Sequence, residues 1–278
     1  MAAIGRFNTL PIVKRADFGV YLDGGDEGEI LLPNRYLPKG HTHAIGDQLK
    51  VFLYLDSEDR PIATTETPKV QVGEFASLKV VDNTPVGLFL DWGLSKDVLL
   101  PHSETRRPLK VGDYCLVYLY LDDHTRRITA TTHLDRHLDL TPPPYQPGES
   151  VDLLVAARTD LGFKAIVNGQ HWGLIHNNDV FRFLRQGMRE TGYIKEVRDD
   201  GKISLSLQPL GDSGRDTLQN LILNKLDEAG GVLPFSDRTP PELIAREFGV
   251  SKGNFKKAIG ALFRREAIVI YQDRIELP

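Results

Sequence analysis

Along residues 1–212 the apolar positions fall into short strand-length runs separated by glycine, asparagine and aspartate, and one series of runs occurs three times. In the first series Phe18-Gly19-Val20-Tyr21-Leu22 leads to Leu31-Leu32-Pro33-Asn34, Gly46-Asp47 opens Val51-Phe52-Leu53-Tyr54-Leu55-Asp56, and Ile62-Ala63-Thr64-Thr65 closes. In the second, Val86-Gly87-Leu88-Phe89-Leu90 leads to Leu99-Leu100-Pro101-His102, Gly112-Asp113 opens Val117-Tyr118-Leu119-Tyr120-Leu121-Asp122, and Ile128-Thr129-Ala130-Thr131 closes. The third runs from Leu161-Gly162-Phe163-Lys164 through a turn at Asn168-Gly169 to Gly173-Leu174-Ile175-His176, then Gly187, then Lys202-Ile203-Ser204-Leu205-Ser206. The interval between the two marker glycines is 27, 25 and 25 residues. Self-similarity at a fixed spacing predicts three copies of one small closed barrel, over 1–70, 71–140 and 150–212.

After residue 213 the period changes from two to that of a helix. Leu218, Leu221, Ile222 and Leu226 read as one helical face stopped by Gly230-Gly231. Thr239-Pro240-Pro241-Glu242 has the form of a capping box with proline at the first helical position, opening a helix through Phe248 that Gly249 ends. Ser251 then caps a third helix, with Phe255, Ile259, Leu262 and Phe263 expected as its buried side and Lys252, Lys256, Gly260 and Arg264 as the opposite stripe, Lys257 and Arg265 beside it. Two strands over 267–271 and 274–277, joined at Gln272-Asp273, make a wing. Residues 213–278 therefore predict a winged-helix (α+β) domain. Four prolines within 142–147 predict that 141–149 is a stiff extended linker between the second and third copies.

The motif residues Gly162, Gly173-Leu174-Ile175-His176, Gly187 and Lys202–Ser206 resemble the S1-type RNA-binding domain, an OB-like barrel of five strands. The predicted class is thus a mainly β, multidomain chain: three S1/OB-like five-stranded β-barrels plus a C-terminal winged helix. That order of modules, over essentially the whole chain, resembles the bacterial conserved virulence factor B family, also known as the YitL-like family. The resemblance implies a cytoplasmic, non-enzymatic protein that binds single-stranded RNA and regulates gene expression after transcription. It also implies base stacking on Phe18 and Tyr21, which share a strand face if Gly19 forms a bulge. In the second copy Val86 replaces the first ring and Phe89 remains. The third has Leu161 and Lys164 at those positions, yet keeps His176 where the other copies have Pro33 and Pro101. Its expected contact set is Lys164, His176, Arg182 and Arg185, with Phe163 or Trp172 nearby. Lys252, Lys256, Lys257 and Arg264 are expected to hold phosphates on the third helix.

Charge refines this picture. The formal net charge is −4, but residues 1–150 hold 16 Lys/Arg against 21 Asp/Glu, whereas 151–211 hold 8 against 7 and 214–278 hold 10 against 9. Phosphate contacts are expected in the last two segments. Two alternatives stay open: a DNA-binding transcriptional regulator acting through the winged helix, and an adaptor that docks on a ribosome or RNA-processing nuclease through protein surfaces. The single cysteine, Cys115, fits a reducing compartment and a buried apolar role. The mildly apolar first residues, soon reaching Arg6 and Asn8, are not expected to act as a leader, and no run reaches the ~20 apolar residues of a membrane span. Gly211-Asp212-Ser213-Gly214 has the form of a serine-nucleophile loop but joins a barrel exit to a helix, where Ser213 suits a cap. His133, Asp135, His137 and Asp139 lack metal-ligand spacing. Neither catalysis, nor a metal, nor a cofactor is expected, and the oligomeric state is open.

Overall fold

The structure, a computed structural model, describes residues 2–40, 43–180, 182–209 and 212–278, with the backbone alone at 178 and 212–217. The chain divides into two compact units, 1–137 and 138–278. The first holds two closed barrels; the second holds a third barrel and the helical domain.

Strands β1 (Phe7–Ala16), β2 (Gly19–Asp23), β3 (Glu29–Pro33), β4 (Gln48–Leu55) and β5 (Pro61–Thr64) close in the order β1-β2-β3-β5-β4, with β3 and β5 parallel. The same order recurs in β6 (Phe75–Thr84), β7 (Gly87–Asp91), β8 (Val98–Pro101), β9 (Tyr114–Leu121) and β10 (Ile128–Thr131). It recurs again in β11 (Ser150–Thr159), β12 (Gly162–Val167), β13 (His171–His176), β14 (Arg189–Val197) and β15 (Ile203–Ser206). The marker glycine that starts β2, β7 and β12 has a steric cause. A Cβ at Gly19, Gly87 or Gly162 would lie 2.3, 2.5 or 2.0 Å from the carbonyl oxygen of Leu32, Leu100 or Ile175 on the next strand. The expected bulge at Gly19 is instead on the facing strand, where the register shifts between Ile12 and Lys14, and equivalently between Val80 and Asp82 and between Val155 and Ala157. An extra residue there bends the first strand and tightens its twist, which helps each small sheet close.

Inside the first barrel lie Ile12, Leu22, Ile30, Leu32, Val51 and Leu53. Phe52 and Tyr54, the alternate residues of β4, point the other way and are buried in the core of the second barrel with Trp92 and Leu94. The first unit is thus one body in which β4 is apolar on both faces. Cys115 is buried in the second barrel's core, and burial pushes its thiol up to about 11.

In the second unit, the segment expected as a free linker is partly built into the third barrel. Tyr145 is 7% exposed within that core, its hydroxyl 3.1 Å from His171 Nδ1, and the Gly148 amide donates to the Ile194 carbonyl. The helical domain comprises α1 (Asp212–Glu228), β16 (Val232–Leu233), α2 (Pro241–Phe248), α3 (Lys252–Arg264), β17 (Val269–Ile270) and β18 (Ile275–Glu276), the strands in the order β16-β18-β17. Ser251 caps α3 by accepting the Asn254 amide, and Gly249 ends α2 at a φ of 65°. Three details differ from the sequence reading. Thr239 does not cap α2 but accepts the Ser236 amide, leaving Pro240 at the cap. Leu221 and Phe263 are 37% and 52% exposed; Ala258, with Phe255, Ile259 and Leu262, completes the buried side of α3. Gly211 and the side chains of Asp212, Ser213 and Gly214 lie outside the described residues.

Candidate nucleic-acid interface

In the first barrel the two expected rings meet. Ala16 pairs with Gly19, so Asp17 and Phe18 form the two-residue turn between β1 and β2. Phe18 is 58% exposed, its ring centroid 6.2 Å from that of Tyr21 at an interplanar angle of 81°. The turn position, rather than a bulge, lets rings three residues apart touch. Lys14 pairs with Tyr21 across the strands and holds its Nζ 5.2 Å from the Tyr21 centroid and 3.8 Å from Glu29 Oε2. A ring edge, a ring face and an ammonium therefore share one outer surface, the combination that accepts a stacked base and its backbone.

The turn is clasped by a residue the sequence reading passed over. Asn34 donates its amide to the Phe18 carbonyl (3.0 Å) and its Nδ2 to the Asp17 carbonyl (2.6 Å). Asn177 repeats both bonds in the third barrel, to Leu161 (3.0 Å) and Asp160 (2.7 Å), while His102 Nε2 lies 2.8 Å from the Thr84 carbonyl in the second. The signal was present in the equivalent pairs Pro33-Asn34 and His176-Asn177.

The second barrel presents less. Phe89 faces Asp82 across the strands, where the first barrel has a lysine beside its tyrosine, and Val86 is 66% exposed at the turn. Arg106 pairs with Asp135, and His137 stacks on Tyr118 with centroids 4.0 Å apart, so these side chains serve local packing.

On the third barrel Lys164 sits over Trp172, Nζ 3.7 Å from the ring centroid, and His176 ends β13 opposite Gly162. Of the two rings expected near Lys164, Trp172 is the one it meets; Phe163 packs partly against the core. Arg182 is held by Glu190 at 2.8 Å and Lys195 by Asp179 at 2.8 Å. Arg185 forms no ion pair among the described residues, and Phe183, 76% exposed, stands between the two arginines. That phenylalanine was not singled out from sequence because it falls in an irregular loop without periodicity.

On α3 the expected cations differ in their freedom. Lys256 lies 3.5 Å from Asp237 Oδ2, whereas Lys252, Lys257 and Arg264 have no ion-pair partner among the described residues. Arg265 donates to Gln219 Oε1 at 3.1 Å. The exposed Phe263 adds a ring to this basic surface. At the start of the helix, Gln208 from the third barrel's exit accepts from Asn254 Nδ2 (3.0 Å) and donates to the Gly249 carbonyl (2.7 Å). The turn between α2 and α3 is thereby tied to the barrel.

Family models match the first two barrels and the winged helix, and their S1 match falls on the first two copies rather than on the third, whose motifs carried the resemblance in sequence. A family model described as S1 domain matches residues 4–66 and 72–133, and one described as CvfB-like winged helix domain matches 220–277. Uncharacterized protein YitL of Bacillus subtilis is 30% identical, the alignment covering 97% of this chain and 91% of that protein. A conserved virulence factor B of Staphylococcus epidermidis is 24% identical over 99% of this chain and 94% of its own. A solved Streptococcus pneumoniae structure, described as a multidomain protein with nucleic acid binding domains, is 24% identical with a TM-score of 0.43, covering 99% of this chain and 98% of that one.

Proposed function

The chain belongs to the conserved virulence factor B family, whose S1 domains and winged helix mark a nucleic-acid-binding protein, and we propose that its ligand is single-stranded RNA, through which it regulates gene expression in the cytoplasm after transcription. The ring pair of Phe18 and Tyr21 carries the proposal. An exposed phenylalanine held edge-on to a tyrosine, in a turn clasped by Asn34, is a preformed platform whose ordering cost is met in folding. A base stacked there gains ~1–3 kcal/mol with little sequence preference. Duplex bases already stack on one another and cannot use it. Lys164 with Trp172, His176, Arg182, Arg185 and the α3 cations supply further contacts, and linked weak sites reinforce each other through effective concentration.

Tethering at the winged helix also favours a single strand over duplex DNA. Helix-turn-helix proteins read base edges with the N-terminal residues of the second helix. Here Asn254, in the first turn of α3, is engaged by Gln208. Fluorescence anisotropy of a labelled RNA of about 20 nucleotides, titrated with the full chain across salt, tests the proposal. The expected result is salt-sensitive binding that Phe18→Ala weakens about tenfold and that duplex DNA competes poorly. Equal competition by duplex DNA would favour a transcriptional regulator. Absence of binding to any nucleic acid would favour an adaptor that docks on proteins.

A further inference from the structure

The stacking residue of the second barrel does not lie on an open face. Phe89 lines a cavity of about 270 Å³, walled on one side by Leu99 and Asp97 of its own barrel and on the other by the turn between β4 and β5 of the first, which contributes Asp59. The volume suits one base with part of its sugar and excludes a duplex.

Polar groups in the cavity divide sharply. Its cations are already engaged: Arg127 donates Nε to both Asp59 oxygens at 3.1 Å, and Lys96 donates Nζ to the Asp56 carbonyl at 2.5 Å. A phosphate would have to displace both. Asp97, by contrast, makes no hydrogen bond or ion pair with any described residue. Burial, with the nearby carboxylates Asp91 and Asp82, raises its pKa above the ordinary aspartate value. Asp97 is half-buried, so water is the donor its carboxylate has at hand, and a ligand that brings donors of its own can replace that water, which makes it a candidate binding group.

The matching ligand is therefore flat, to lie on Phe89, and carries two adjacent donors on one edge for the two carboxylate oxygens. Guanine, with N1–H and the N2 amine side by side, is the one common RNA base that does so. Uracil presents a lone N–H between two carbonyls, and the amines of adenine and cytosine each adjoin a ring acceptor that a carboxylate repels.

We propose that the cavity between the first and second barrels takes one unstacked guanine of a bound RNA strand, its ring on Phe89 and its N1–H and N2 amine on Asp97. This gives the chain a base preference at one position, and it rests on the RNA-binding function proposed above.

The test compares the full chain's affinity for an all-uridine 12-mer with that for the same RNA carrying one central guanosine or one inosine. A bidentate carboxylate pair predicts about tenfold tighter binding of the guanosine RNA, with inosine, which lacks the N2 amine, intermediate. In Asp97→Ala, which removes both acceptors, the ratio between guanosine and uridine RNAs falls to about one, with the thermal transition recorded as a folding control. Equal binding of the three RNAs by the unsubstituted chain, or a guanosine preference that survives Asp97→Ala undiminished, overturns the guanine site while leaving RNA binding intact. Failure of all three RNAs to bind overturns both.

Discussion

Asp59, in the turn between β4 and β5 of the first barrel, receives Arg127 of the second through a bond from Nε to each carboxylate oxygen, both 3.1 Å. The arginine's hydrogen bonds hold the Asp59 carboxyl below its ordinary range, and its positive charge and that of Lys96 act in the same direction. A depressed carboxylate contributes its stabilisation above the ordinary aspartate value, about 4, and loses it as pH falls through the lower folded value. An NMR titration of the Asp59 carboxyl is expected to give a midpoint below that of a model aspartate, and Arg127→Ala to raise it. A midpoint indifferent to Arg127 would mean the two barrels are not joined by this pair in solution.

Phe52 makes the larger contribution to the same junction. Its ring is fully buried, 5.4 Å from Phe7 of its own barrel and 5.6 Å from Trp92 of the next. Truncation removes contacts from both sides and leaves a cavity that neither rigid sheet can close. Phe52→Ala is expected to cost about 3–5 kcal/mol in urea unfolding, against under 1 kcal/mol for an exposed control such as Val86→Ala. Equal losses would place Phe52 outside the shared core.

How much of this was legible follows from how local each cause is. Gly19, Gly87 and Gly162 recur because a Cβ would strike the next strand's carbonyl, a constraint set within one hairpin, so the barrels could be counted from spacing alone. Ser251 and Gly249 act within a turn and were equally readable. The junction between barrels was not read, although Val51-Phe52-Leu53-Tyr54 carried a signal: an unbroken apolar run marks a strand buried on both faces. Phe263 was placed on the wrong side of α3 because it adjoins Leu262 at the edge of the apolar stripe, where packing decides. That the rings of Phe18 and Tyr21 come together was expected, but through a bulge at Gly19 rather than through the turn that brings them edge to face. The cavity at Phe89 depends on two copies coming together, and periodicity within one copy is silent about that.

Tyr145 couples the proline-rich segment to the third barrel through His171, whose Nε2 is buried without a partner among the described residues. Tyr145→Phe keeps the ring's packing but leaves the second imidazole nitrogen unsatisfied as well. The expected loss is about 1–3 kcal/mol in the unfolding of the second unit. Tyr145→Ala should lose more, since the ring is part of the core. Were the segment a free spacer, neither change would move the transition.

Lys257 and Lys256 are neighbours on α3, yet they should not count equally toward RNA. Lys256 already faces Asp237 at 3.5 Å, so its charge is partly neutralised before any phosphate arrives. Lys257 is exposed with no ion-pair partner among the described residues. Neutralising one phosphate contact on a single strand changes the slope of log affinity against log salt by about 0.7. Lys257→Ala is therefore expected to weaken RNA binding and flatten the salt dependence by about that amount, while Lys256→Ala does so less. The double variant Lys256→Ala with Asp237→Ala separates the causes. If Asp237 screens Lys256, Asp237→Ala alone should tighten binding and steepen the slope, because it releases a cation onto the same surface. Binding and salt slope unaffected by every one of these changes would remove α3 from the RNA path and leave the barrels as the whole interface.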